Sequence, residues 1–382
     1  MASRLHGLGT TIFAEMSALA TRTGSVNLGQ GFPDVDGPPE VVEAAVEALR
    51  TGRNQYAPGY GVPELRRAIA DHQRRFYGLD VDPDAEVLVT TGATEAVAAS
   101  LLALVEPGDE VVALEPYYDS YAAGIAMAGG VRRPVTLRAP DFRLDPDALR
   151  AAVTPRTTTL LVNSPHNPTG TVLDDDERRA VVEVACEHDL LVITDEVYEH
   201  LTFDGHMHCP LATYDGMRER TLTISSGGKT FSFTGWKVGW VTGPADLVRA
   251  VMTAKQFMTY TSGAPLQPAI AQALALGDGF YRGIKDDLQP KRDRLCTGLA
   301  DVGFEVFVPQ GTYFVTTDIR PLGYDDGLDF CLRLPQRCGV VAIPHQVFYD
   351  DKQAGRPLVR WTFCKRDDVL DDAIERLQAL RS

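Results

Sequence analysis

Thr158-Thr-Leu-Leu-Val162, a helical stretch opened by the acids Asp174 to Glu177, and then Leu190-Leu-Val-Ile-Thr194 decide the fold of this chain. Two short, almost wholly apolar runs separated by a helix predict parallel strands in a sheet covered on both faces. The alternation extends outward through Glu86-Val-Leu-Val-Thr90, Glu110-Val-Val-Ala-Leu114, Thr221-Leu-Thr-Ile224 and Val238-Gly-Trp-Val-Thr242. The expectation is an α/β fold: a large domain with a mostly parallel central sheet and helices on both faces. Leu65, Ile69, His72 and Phe76 recur at helical spacing, with His72 expected to be a partly covered surface residue.

Beyond about residue 280 the texture changes to a helix, the runs Phe304–Val308, Tyr313–Thr317, Val340–Ile343 and Leu358–Phe363, and a terminal helix. This predicts a small α+β domain over residues 281–382, after a large domain over 41–280. Residues 1–40, broken by Gly29, Gly31, Pro33, Pro38 and Pro39, predict a helix and an extended arm packing with the small domain.

With 382 residues, 44% of them apolar, the chain can bury a sizeable core. Its formal charge of −15, without a basic run, argues against nucleic acid or anionic lipid as partners. No stretch approaches the ~20 apolar residues that span a bilayer, and Met1 to Met16 lacks a basic segment followed by an apolar one, so a cytoplasmic protein is expected. The six cysteines form no Cys-x-x-Cys pair and read as ordinary reduced thiols, with no metal site.

In α/β sheets chemistry gathers at the carboxyl ends of strands. Four such ends draw attention. Thr90-Thr-Gly-Ala-Thr-Glu-Ala96 runs from a strand through Gly92 into a helix, whose free amides at Ala93 and Thr94 would hold a phosphate, although a glycine turn into a helix is common. Asn163-Ser-Pro-His-Asn-Pro-Thr-Gly170 is stiffened by two prolines and presents the amides of Asn163 and Asn167. Asp195 ends a central strand, where a carboxylate is costly to bury unless it meets a cation or caps a helix. Lys229 sits in a Gly- and Ser-rich bend where partial burial would lower its pKa and make it nucleophilic. Gly228-Lys229-Thr230 is not a nucleotide-binding phosphate loop, because Thr223 stands where that loop needs glycine.

Taken together, Asn27–Asp34, Asn54–Tyr60, Glu115–Tyr121, Asn163–Gly170, Asp195–Tyr198, Lys229–Gly239 and Val359–Phe363 resemble the class I and II aminotransferases, pyridoxal-phosphate enzymes of fold type I. Within that family the chain is most similar to the kynurenine and glutamine transaminases and the bacterial N-succinyldiaminopimelate aminotransferases. The resemblance implies that Lys229 joins pyridoxal phosphate as an imine and later moves the proton at the substrate Cα. It further implies that Asp195 pairs with the ring nitrogen, that Asn167 and Tyr198 hydrogen-bond the phenolic oxygen, and that Tyr118, or Tyr117 one register away, stacks on the ring.

By the same resemblance Ala93, Thr94, Ser226, Lys237 and a neighbouring subunit's Tyr56 hold the phosphate, which implies a homodimer with shared sites. Many relatives have Arg where this chain has Lys237, and a lysine gives up the bidentate fork. Arg360 would clamp the substrate α-carboxylate, Gly31 would let the arm approach it, and Phe13 would wall the side-chain pocket. The implied activity is transfer of an amino group from an amino acid to a 2-oxo acid in two half-reactions. Three alternatives are weighed beside it: a C–S β-lyase on the same site, a non-catalytic binding protein and a nucleotide-dependent enzyme.

Overall fold

The computed structural model describes residues 2–6, 9 and 11–381; Met1 and Ser382, the ends of the expected domains, lie outside the described residues. A helix over Ile12–Thr23 leads into the short strand β1 (Val26–Asn27). The large sheet follows with β2 (Val87–Thr90), β3 (Glu110–Glu115), β4 (Val131–Thr136), β5 (Thr157–Asn163), β6 (Leu191–Asp195), β7 (Thr221–Ser226) and β8 (Gly239–Thr242). The C-terminal part adds β9 (Glu305–Phe307), β10 (Phe314–Asp318), β11 (Val340–Val341), β12 (Ile343–Pro344) and β13 (Leu358–Thr362).

The seven large-sheet strands lie in the order β2-β8-β7-β6-β5-β3-β4, all parallel except β8, which runs antiparallel to both neighbours. Alternate side chains go to opposite faces, and both faces are filled. Val111, Ala113, Leu161 and Ile193 enter one apolar cluster, while Val112, Leu114, Leu160 and Val192 enter another. This two-sided burial explains why the strands read as continuous apolar runs. The crossover helix after β5, Asp175–Glu187, starts with a full capping box: Asp174 accepts from the Glu177 amide, and Glu177 reaches back to the Asp174 amide.

Two features depart from the expectation. Strand β4 was not foreseen: Val-Arg-Arg-Pro-Val-Thr has no apolar run, and its proline is tolerated because β4 is an edge. The run Val340–Ile343 is split between two sheets. Val340 and Val341 pair in parallel with Val26 and Asn27, whereas Ile343 and Pro344 join the antiparallel sheet β12-β13-β10-β9. Met16, Leu19 and Leu28 of the N-terminal segment share one core with Leu295, Val341, Trp361 and Leu377.

His72 corrects a third expectation. It is only 2% exposed, on the buried face of the helix Pro63–Tyr77. Its Nε2 lies 2.7 Å from His200 Nε2, and the Phe76 ring is 4.8 Å away. Burial pushes both imidazoles below the ordinary histidine pKa, so the pair is neutral. The neighbouring Glu199 accepts from Ser225 and Tyr77, each at 2.5 Å.

Candidate active site

The strand ends converge on one edge of the large sheet. Asn163 stands beside Asp195 in register, and Ser226 beside Gly239, where the antiparallel β8 begins. Above this edge lies a cavity of about 390 Å³, closed on its far side by the N-terminal arm and by β13. Phe13, Gly31, Ala93, Thr94, Tyr118, Asn167, Asp195, Tyr198, Ser226, Lys229, Lys237 and Arg360, which the sequence reading singled out, all line it. Tyr56 does not: it is 82% exposed and packs edge-on against Tyr260 at 5.3 Å. Tyr118 rather than Tyr117 faces the cavity; the Tyr117 hydroxyl instead meets Arg132 at 3.1 Å.

One end of the cavity is built for an anion. The helix Gly92–Leu104 begins here, and its first amides have no carbonyl partner within the helix. Gly92 has φ of +76°, and a Cβ on it would come within 3.1 Å of the Lys237 amine. Gly239 lets β8 pass against the helix start: a Cβ there would lie 2.6 Å from the Gly92 carbonyl carbon and 2.8 Å from the Ala93 nitrogen. Lys237 makes no ion pair among the described residues, so its charge faces this cradle uncommitted.

The middle of the cavity holds a carboxylate and an amine. Asp195 is buried and accepts from the Tyr121 hydroxyl at 2.5 Å through Oδ2, while Oδ1 has only a 3.4 Å contact with the Val197 amide. Burial raises its pKa against the lowering effects of those hydrogen bonds and of the Lys229 charge, and it makes no ion pair among the described residues. The Asn163 side chain, expected to present its amide at the sheet edge, does line the cavity, but its polar atoms are bonded to the loop itself. Its Nδ2 donates to the Asp195 and Pro165 carbonyls and its Oδ1 accepts from the Asn167 amide, which shapes the loop. Lys229 reaches into the cavity from the short turn after β7, and burial lowers its pKa to about 8, opposed by Cys364 and Asp195.

At the far wall Arg360 is 1% exposed and makes no ion pair among the described residues, although the Asp119 carboxylate lines the same cavity and favours its charge. One guanidinium nitrogen donates to Asn167 Oδ1 at 3.0 Å and another to the Gly29 carbonyl at 2.9 Å, while Nε has no partner. The guanidinium lies 4.0 Å from the centre of the Phe314 ring. Burial lowers its pKa to about 10, which leaves it charged at neutral pH.

Sequence reasoning missed two residues. Tyr121 sits three positions after Tyr118, on the first turn of the helix Asp119–Ala128, and that spacing was a usable signal. Tyr313, whose hydroxyl accepts from Lys229 Nζ at 2.9 Å, precedes a buried strand and resembles any core aromatic.

A helix start beside an unpaired ammonium, a carboxylate and a guanidinium without ion pairs among the described residues, and an amine of lowered pKa thus face one cavity. Residues 23–377 match the family model for aminotransferase class I and II. The chain belongs to that family. It is 57% identical to the probable N-succinyldiaminopimelate aminotransferase of Mycobacterium tuberculosis over 99% of this chain and 98% of that protein. The solved structure of the M. tuberculosis enzyme superposes with a TM-score of 0.98, each chain covered completely. The methionine aminotransferase of Escherichia coli is 40% identical over 99% of this chain and 98% of its own, and its structure gives a TM-score of 0.95. Kynurenine–oxoglutarate transaminase 3 of Mus musculus is 37% identical, covering all of this chain and 90% of the mouse protein. This family member is therefore a fold type I, pyridoxal-phosphate-dependent aminotransferase that moves amino groups between amino acids and oxo acids. Among the described residues no helix is long and apolar enough to cross a membrane.

Proposed function

We propose that the cavity residues divide the work as their unmet bonding capacity suggests. Pyridoxal phosphate, when bound, supplies an aldehyde carbon for the amino nitrogen and a ring that accepts the electron pair released at the substrate Cα. The amides of Ala93 and Thr94, the Ser226 hydroxyl and the Lys237 ammonium hold the phosphate. Asp195 takes the ring N–H through its less occupied oxygen, gaining the cation its burial lacks. Tyr198 offers its hydroxyl to the phenolic oxygen, and Asn167, whose Oδ1 is taken by Arg360, offers its amide hydrogens. Tyr118 lies along the ring face. Lys229 holds the cofactor and, once displaced, carries the proton to and from the substrate Cα. Arg360, with Gly31 close by, orients the substrate α-carboxylate.

One observation carries this reading: Lys229, Asp195 and Arg360 share a cavity, and none is ion-paired with any described residue. Gly239 tests the phosphate end. Gly239→Ala must push the start of the Gly92–Leu104 helix away, so the cofactor-free enzyme should bind pyridoxamine phosphate about tenfold more weakly by calorimetric titration. Unchanged affinity would mean that the helix start does not hold the phosphate.

For the substrate we infer an amino acid with an extended side chain that is uncharged or amide-bearing near the ring. Phe13, Phe32 and Tyr118 supply apolar walls, Asp119 adds a carboxylate, and Lys229, Lys237 and Arg360 are the cations among the described lining residues. All three cations have assigned tasks, so a short side chain ending in a carboxylate finds no partner and meets Asp119. The names of the relatives supply the first donors to try. In a panel of N-succinyldiaminopimelate, methionine, kynurenine and aspartate, read from the cofactor's spectrum in single half-reactions, aspartate should be the poorest. An aspartate rate above the other three would overturn the inference.

On the same reading we infer a homodimer. Tyr56, Tyr260, Phe257 and Met258 are exposed apolar residues, with Phe257 85% exposed. Thr259 in that stretch bonds Thr91 and Glu95 beside the phosphate cradle. A second copy covering this patch would bring its own Tyr56 toward the cradle. A cytoplasmic location is supported by the six free cysteines.

A further inference from the structure

The Lys229 amine is already held from behind. Its Nζ donates to the Tyr313 hydroxyl at 2.9 Å and lies 3.5 Å from the Gly31 carbonyl oxygen. The Tyr313 hydroxyl donates its own proton to that same carbonyl at 2.6 Å, so it presents a lone pair to the lysine. Tyr313 is 1% exposed and lines, with Lys229, a second cavity of about 450 Å³ and not the cofactor cavity. Its ring is fixed edge-on by Tyr198 at 5.3 Å and Phe314 at 4.9 Å. Gly31 reaches it because this position has no Cβ; one would sit 2.5 Å from the Phe314 ring.

A neutral primary amine has two N–H bonds and one lone pair. Both N–H bonds have acceptors, the Tyr313 hydroxyl and the Gly31 carbonyl, which leaves one tetrahedral position free on an amine that lines the cofactor cavity. We propose that Tyr313, seated on the Gly31 carbonyl, is a positioning residue that aims the Lys229 lone pair at the cofactor aldehyde, both on first capture and when the lysine returns after turnover. The inference rests on the role proposed for Lys229. In capture, Nζ forms a bond to the aldehyde carbon, the C=O bond breaks, and the oxygen leaves as water with both amine protons. No electron acceptor is needed, and Tyr313 keeps its proton on Gly31.

The test uses the full-length enzyme freed of cofactor, as wild type and Tyr313→Phe. Capture of pyridoxal phosphate is followed by stopped-flow absorbance. Binding of pyridoxamine phosphate, which has no aldehyde, is followed by calorimetry. Tyr313→Phe should slow capture about tenfold at pH 7.5 while changing pyridoxamine phosphate affinity less than about twofold. Losing the hydroxyl acceptor also destabilises the ammonium form, so the midpoint of the capture pH profile should fall below that of wild type. Slower capture from a larger fraction of free amine is a signature that loosened packing does not produce. Equal capture rates, an equal loss of pyridoxamine phosphate affinity, or a midpoint that stays or rises would each overturn the proposal. Failure of the wild type itself to capture the aldehyde would instead sink the role of Lys229.

Discussion

Lys229→Ala is expected to bind pyridoxal phosphate without covalent attachment and to lose amino transfer by at least about 10⁴-fold, since nucleophile and proton carrier disappear together. Borohydride treatment followed by mass spectrometry reads the attachment, and oxo acid formation reads the turnover. The wild type gives the complementary pH result. Burial lowers the lysine pKa to about 8, so below that pH most of the amine is ammonium and unreactive, and above it most is free. Capture of the aldehyde should therefore climb between pH 7 and pH 9 around a midpoint near that value. Mixing Lys229→Ala with Tyr56→Ala extends the experiment to the proposed shared site. If Tyr56 serves the neighbouring subunit, each mixed dimer contains one site with both native residues, and activity absent from either parent returns. Normal turnover by Lys229→Ala would overturn the assignment, and no recovery on mixing would remove Tyr56 from it.

What could be read in the sequence follows from how local each cause is. The strands Thr157–Asn163 and Leu191–Asp195 are legible because burial on both faces demands apolar residues at successive positions. Once the sheet is recognised as parallel, Asn163 and Asp195 fall at its productive edge without further information. Strand Val131–Thr136 was illegible because an edge strand with one half-solvated face needs no such run. His72 was misjudged because its partner, His200, is 128 positions away, and helical periodicity does not tell a buried polar face from a covered one. Arg360 entered through resemblance: nothing in Leu358–Thr362 marks a strand arginine as one that the fold leaves without a carboxylate. Tyr313 was missed for a related reason, since its hydroxyl matters only through Gly31 and Lys229, each far away in sequence.

Arg360→Ala should weaken amino acid donors by about 2–5 kcal/mol, roughly 30- to 5,000-fold in kcat/KM, because a buried charge-assisted contact to the α-carboxylate is lost. The effect is large because the protein has already met the cost of burying this guanidinium. Asn167 and the Gly29 carbonyl fix two of its nitrogens and the Phe314 ring fixes its plane, yet Nε still lacks a partner. Burial lowers its pKa only to about 10, so through neutral pH it offers a full positive charge to an incoming carboxylate. Arg360→Lys separates charge from shape. An ammonium keeps the attraction but cannot bond Asn167, Gly29 and a carboxylate in one plane, so this variant should fall between wild type and alanine. An amine lacking the α-carboxylate supplies the control: its slow reaction should be indifferent to both substitutions. Equal losses for that amine and for amino acids would mean that Arg360 supports the cavity as a whole. Unchanged kinetics with amino acids would mean that the carboxylate is bound elsewhere.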